Sequence, residues 1–328
     1  MNQLLKHVMT TLLRIILLLI GVSMVAFFLV ISSPIDPVDA YVGAESNVSQ
    51  EQRDNIAEHW GLNKTPVERY FTWLSNLMKG DMGTSITYQK PVAQIIGSRF
   101  LASLTLMALA WLLSGVFGFL LGVMSGATQG SIFDKCVKTL CFVFSSTPTF
   151  WIGLLLLMVF SINLGWFPIG LSVPIGKLSS EVTLLERLHH LILPAFTLSI
   201  TGISSIALHT RQKIIDVLKT DYILFAEARG ESKRTLIIRH GLRNIAIPAI
   251  TLQFASFSEL FGGSVLAENV FSYPGLGSAA SIAGLKGDVP LLLAIALCSV
   301  LFVFVGNLTA NLLYGILNPQ IREGGKLG

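Results

Sequence analysis

The sequence predicts an all-α integral membrane protein with six transmembrane helices and both termini on the cytosolic side. Three observations carry that expectation. Hydrophobic residues make up 52% of the 328 and charged residues only 13%, with a mean hydropathy of +0.68. A soluble domain has a smaller apolar share and about twice the charge. Six runs are long enough and poor enough in charge to cross a bilayer core, which takes about 20 apolar residues per helix. Lysine and arginine collect in alternate intervals between those runs, as cytoplasmic loops require.

The runs are 8–31, a stretch within the charge-free interval 100–133, 139–164, 191–210, 245–270 and 289–317. Arg14 lies near enough to the start of the first to snorkel to the headgroups. That run is too long for a signal-peptide core and lacks a small-residue cleavage site, so it is expected to remain as an anchor. Lys6, Arg14, Lys135, Lys138, the interval 211–248, Arg322 and Lys326 fall on one side only if the number of spans is even. The opposite intervals are not basic: 32–99 carries eight acidic residues against six basic, and 163–190 is neutral.

Three divisions follow: a first transmembrane helix at 1–31, an external segment at 32–99, and a five-helix core at 100–328 with a cytosolic loop at 211–248. The external segment is too long for a simple loop. Its PVERYFTWLSNLM stretch sets Val67, Tyr70, Phe71, Leu74 and Leu77 on one side, so short helices lying on the outer membrane face are expected. The sequon Asn47-Val48-Ser49 carries no weight, because such triplets occur by chance.

In the second run Gly118, Gly122 and Gly126 recur every fourth residue, with Ser114 one step earlier. Such a stripe lets backbones approach closely in lipid, either within the subunit or against a partner. Pro148, Pro194 and Pro248 should bend helices or mark their starts. Cys136, Cys141 and Cys298 read as buried, inert thiols with no CxxC pair.

The interval 211–248 is the long polar island, with eight basic residues against four acidic; that surplus equals the net charge of +4. The clustering beside apolar spans argues against nucleic-acid binding. Asp221 is placed to cap a short helix at 222–229, Gly230 to end it and Ser232 to cap the next helix. Tyr222, Ile223, Leu224 and Phe225 are too apolar for a solvated loop, which leaves a docking element for a soluble partner or a helix resting on headgroups.

No GxxxxGK[ST] loop occurs, so any nucleotide must be handled by a separate ATPase. Glu259 is the carboxylate well inside a predicted span, and Gly262-Gly263 should loosen the helix there. It either lines a substrate path, favouring a cationic or metal-bearing solute, or packs as a hydrogen-bonded glutamate. His189, His190 and His209 read as structural or solvated, and no metal or cofactor site is expected in this chain. Intramembrane proteolysis has no support, since the runs hold no aspartate and neither HExxH nor GxSxG occurs; a secondary carrier would need several ionisable groups at mid-membrane.

The residues resemble a known family, the permease subunits of bacterial ATP-binding-cassette importers for peptides and nickel. Asp221-Tyr222, Ala226-Glu227-Ala228-Arg229-Gly230, His240, Arg243-Asn244 and Pro248 look like its coupling-loop signature. Gly80-Asp81-Met82-Gly83-Thr84-Ser85, Pro148-Thr149-Phe150-Trp151, Gly165-Trp166-Phe167-Pro168, Leu193-Pro194, the run from Glu268 to Gly277 and the tail at 318–322 complete the pattern. Ile35 and Gly287 depart from it, standing where Gly and Arg are usual. The resemblance implies a type I importer transmembrane domain that couples through Asp221, Tyr222, Phe225, Ala226, Glu227, Ala228, Arg229, Gly230 and His240. It also implies a second, similar permease, two cytosolic ATPases that carry the ATP and Mg, and an external binding protein, with peptides or nickel and metal chelates as substrate.

Overall fold

A computed structural model describes residues 2–42, 49–178 and 180–317. Asn47, Val48, the tail motif at 318–322, Arg322 and Lys326 lie outside the described residues. In chain order the helices are α1 (Asn2–Ile31), α2 (Pro37–Val42), α3 (Gln50–His59), α4 (Pro66–Met78) and α5 (Val92–Ala127). Next come α6 (Ile132–Ser146), α7 (Thr149–Leu156) with a π-helical continuation Leu157–Asn163, α8 (Leu184–Leu218) and α9 (Asp221–Ala228). A short α10 (Lys233–Thr235) runs through π-helical Leu236–Gly241 into α11 (Leu242–Ala255), followed by α12 (Phe257–Val270), α13 (Leu276–Leu285) and α14 (Val289–Leu317). Four helices are long and apolar enough to span, and two bent pairs bring the count to six if each pair crosses once.

The chain divides into two compact units. The first is Met1–Ala102 with Gly275–Phe304. Here α4 packs on α1: Tyr70 is buried, its hydroxyl lies 2.8 Å from Ser23 Oγ, and its ring meets Phe27 edge-on at 5.3 Å. Tyr70, Trp73 and Leu74 form the inner face, while Val67 and Phe71 are 54% and 60% exposed, unlike the single apolar face expected. The Tyr70–Ser23 bond sets the roll of the helix, and the apolar pattern alone does not contain it.

Asp288 ties the rest of this unit together. It is fully buried, accepts from Ser85 Oγ at 2.6 Å and Thr87 N–H at 2.9 Å, and receives Leu291 N–H at 3.3 Å as the cap of α14. The departure at Gly287 has a structural use, since φ there is +62°, a conformation that glycine adopts without penalty. At the other departure, Ile35, the turn is held by Val38 N–H donating to Asp36 Oδ1 at 2.8 Å.

The second unit is Ser103–Pro274 with Val305–Gly328. Its axis is α8, which starts at a capping box between Thr183 and Glu186. The helix is far longer than the expected 191–210 and runs on to Leu218, so the polar island begins inside it. The glycine stripe lies along α8. A Cβ added to Gly118 would come 2.8 Å from Ile206 Cβ, one at Gly122 2.7 Å from Ala207 O, and one at Gly126 2.8 Å from Arg211 O. The stripe packs within the subunit.

The run expected at 139–164 is made of two helices bent by 111° at Pro148, one of the prolines expected to bend a helix or mark its start. Pro148 has no N–H and pushes the residue before it out of the α region; Thr147 sits at φ −99°, ψ 131°. The run at 245–270 is also broken, by 51°, at Ser256 and not at Gly262-Gly263, through which α12 continues. The first turn of α12 is pinned from outside: Ser258 Oγ donates to Asn307 Oδ1 at 2.5 Å, and Phe257 packs on Gly306. Pro194 and Pro248 lie inside helices.

Cys136 is exposed, contrary to expectation, because the buried face of α6 runs through Val137 and Cys141. His189 and His190 meet the carbonyls of Trp166 (2.8 Å) and Gly170 (3.0 Å).

Candidate functional site

The polar island folds as a short helix clamped between two longer ones. Thr220, in extended conformation, is the N-cap of α9, so Asp221 is the first helical residue instead of the expected cap. An acidic residue in the first turn still favours the helix N-terminus electrostatically. The other end is a Schellman arrangement: Gly230 N–H donates to Glu227 O at 2.9 Å and Glu231 N–H to Ala226 O at 3.2 Å. Gly230 has φ +90°, so it supplies the left-handed residue that this ending needs. Ser232 caps the next helix by accepting from Thr235 N–H at 3.3 Å.

Ile223 (1% exposed) and Ala226 (7%) pack against Leu236, Val217 and Leu218, which seats α9 on the end of α8 and on the π-helical turn. Tyr222, Leu224 and Phe225 face outward at 47%, 50% and 66% exposure. Tyr222 is held by Asn244, whose Nδ2 donates to its hydroxyl at 2.9 Å and to His240 O at 2.8 Å. His240 reaches Glu231 at 3.2 Å, and the Arg229 guanidinium lies 6.0 Å from the Phe225 ring centre. Glu227, Ala228 and Arg229 are exposed, so of the residues singled out Ala226 alone turns inward.

The geometry yields a platform about two turns long that presents an aromatic and aliphatic patch with charges around it. It has no catalytic constellation. Hydrophobic side chains held outward by a packed underside are what a protein-docking surface needs.

Asp134 at the start of α6 is buried and accepts from Arg211 of α8 through two bonds, Nε at 2.5 Å and Nη2 at 2.8 Å. Ser125 Oγ (2.6 Å) and Gly130 N–H (2.9 Å) complete its shell. Asp134 did not stand out in the sequence, and Arg211 stood out only as the first of the eight basic residues of the island, with no partner assigned to it. The fully buried Glu268, which accepts from Ser103 Oγ at 2.6 Å, also went unnoticed as a membrane carboxylate.

Glu259 is exposed and lines a cleft of about 250 Å³ together with Gly263. Gly262 is not on its wall and has open space beside it.

Two sequence families match the chain. Residues 118–323 match the binding-protein-dependent transport system inner membrane component, and residues 4–108 match its N-terminal companion. Among curated relatives, the oligopeptide transport system permease protein AppB of Bacillus subtilis (strain 168) is 36% identical over 93% of this chain and 95% of its own. The di/tripeptide permease DppB of Pseudomonas aeruginosa (strain UCBPP-PA14) is 34% identical, covering 92% and 94%, and the glutathione permease GsiC of Escherichia coli (strain K12) 33%, covering 97% and 99%. In fold it is similar to the inward-facing MetNI methionine ABC transporter, with a TM-score of 0.55 at 14% identity over 69% of this chain and 97% of that one. With its apolar spans and these matches, the chain is a multi-pass transport subunit that works with a binding protein and an ATPase and is not itself an enzyme. It belongs to the family of binding-protein-dependent transport system inner membrane components.

Proposed function

We propose that this chain is one of two similar permeases in an importer that moves peptides, delivered by an external binding protein, into the cytoplasm. Two cytosolic ATPases supply the energy and dock on α9. The observation that carries the reading is the outward set Tyr222, Leu224 and Phe225 on a helix closed by Gly230 and seated by Ile223 and Ala226. Around it, Asp221, Glu227, Ala228, Arg229 and His240 form the rim or its support. Both termini and the island 211–248 then lie on the cytosolic side, as the lysine and arginine distribution requires. Peptide as substrate is supported by the names of the relatives. Glu259, with Gly262 and Gly263 beside it, lies along the translocation path in this reading, and the chain carries no cofactor of its own.

Expression of this chain with its neighbouring genes tests the proposal. The purified assembly should retain an ATPase, and uptake of a labelled peptide should stop when ATP is depleted. Phe225→Asp should strip the ATPase while the permeases stay together. An assembly that never retains an ATPase, with uptake that continues without ATP, would overturn it.

A further inference from the structure

The cleft lined by Glu259 is walled by α6, α7, α8, α11 and α12. Both helix breaks of this unit open on it. Ser145 and Thr149 flank the turn at Pro148, and Ser256 is the residue between α11 and α12. Among its described lining residues Glu259 alone carries charge, and it lies in the first turn of α12. Thr201 and Ser205 of α8 add hydroxyls to its lining. The Ser145 and Ser256 hydroxyls donate to Phe142 O (3.2 Å) and Gln253 O (3.0 Å) of their own helices, which turns their oxygens into acceptors. The cleft is thus a concave site with one negative charge and several oxygen acceptors, and no cation of its own answers that charge.

An ammonium group brings one positive charge and three N–H donors, which a carboxylate and neighbouring hydroxyl oxygens accept well. We propose that this cleft is a subsite for the ammonium group of the transported peptide, with Glu259 as its counter-ion. A metal ion is a poorer match. A single carboxylate falls short of the roughly six to eight oxygens that hard cations gather, and no group of three His, Cys, Asp or Glu occurs among the described residues. Placement at the two breaks matters physically, because an interrupted helix leaves polar backbone and side-chain groups facing a cavity at membrane depth, where an unbroken one would bury them.

The inference rests on the peptide-import reading for the identity of the ligand, so its test does not depend on transport. The assembled complex carries Ser205→Cys in a chain whose native Cys136, Cys141 and Cys298 are alanine, and labelling by N-ethylmaleimide is timed. Tri-alanine should slow labelling about fivefold or more, the effect of a charge-assisted contact discounted for solvent access. N-acetyl-tri-alanine should not slow it, and Glu259→Gln should abolish the protection. Thr201→Cys serves as reporter if Ser205→Cys fails to assemble. Equal protection by both peptides, protection that survives Glu259→Gln, or no protection by tri-alanine up to about 100 mM, where even a weak site fills, would overturn the subsite. Uptake that persists without ATP would sink the import reading while leaving the labelling result standing.

Discussion

Removing Arg211 should be more damaging than removing the whole ion pair to which it belongs. Arg211 and Asp134 are 13% and 3% exposed, and the arginine supplies two of the four hydrogen bonds that reach the carboxylate. Arg211→Met leaves Asp134 buried with only Ser125 and Gly130 as donors. Stranding one member of a buried pair costs about 3–5 kcal/mol, whereas replacing both can be close to neutral. The single variant should therefore lose about 3 kcal/mol, and Asp134→Asn/Arg211→Met should regain at least about 1 kcal/mol of that, since no charge is left unpaired. Thermal unfolding of the detergent-solubilised chain reads this out. For a chain of 328 residues the single variant should melt roughly 4 °C below wild type, with the double variant between the two. A single variant that melts with wild type, or a double variant worse than the single, would show that Asp134 is not the desolvated anion argued above.

The remaining predictions concern backbone positions and one buried carboxylate. Gly122→Ala should destabilise by about 1–3 kcal/mol, the usual cost of overpacking, because its Cβ would meet the Ala207 carbonyl at 2.7 Å. Gly262→Ala, with nothing within 4 Å, should be neutral or stabilising in the same melt. Gly230→Val should weaken ATPase retention more than Gly230→Asn, since asparagine tolerates positive φ and a β-branched residue does not; equal retention by both would count against the Schellman ending. Asp288→Ala should cost about 2–4 kcal/mol by stranding Ser85 and Thr87 donors in the buried core, measured as a lower melting point of the isolated chain.

The places of the apolar runs were legible because apolar length is a one-dimensional property, and four spanning helices and two bent pairs lie along them. The short helix expected at 222–229 lies one residue earlier, at Asp221–Ala228, and its end at Gly230 was legible because it depends on neighbours within a few residues. The bends were less so. Pro148 was visible as a breaker, but the size of its bend was not. The break at Ser256 is fixed by Asn307 and Gly306, contacts some fifty residues away in sequence. Glycine was an ambiguous sign in the same way: Gly118, Gly122 and Gly126 mark close packing, whereas Gly262 marks open space and Gly263 would meet Leu198 at 2.9 Å. Asp134 and Glu268 were overlooked for a common reason. Each lies near the end of an apolar run, where a carboxylate reads as a headgroup contact until its partners Arg211 and Ser103 are seen across the fold.

The underside of α9 explains why its position along the chain matters as much as its exposed face. Ile223 and Ala226 rest on Leu236, in the π-helical turn that continues into α11. The far end of α11 is Ser256, whose neighbour α12 carries Glu259 three residues later. If an ATPase docks on α9 as proposed, a push on Tyr222, Leu224 and Phe225 would pass through packed side chains into a helix that ends at the cleft. Packed helices move as bodies because their interfaces are close to crystal density and resist compression. α11 and α12 both pack on α8, and α12 is held besides by Ser258 on Asn307 and Phe257 on Gly306, so a displacement of α11 reaches the cleft wall through α8 as well as through Ser256.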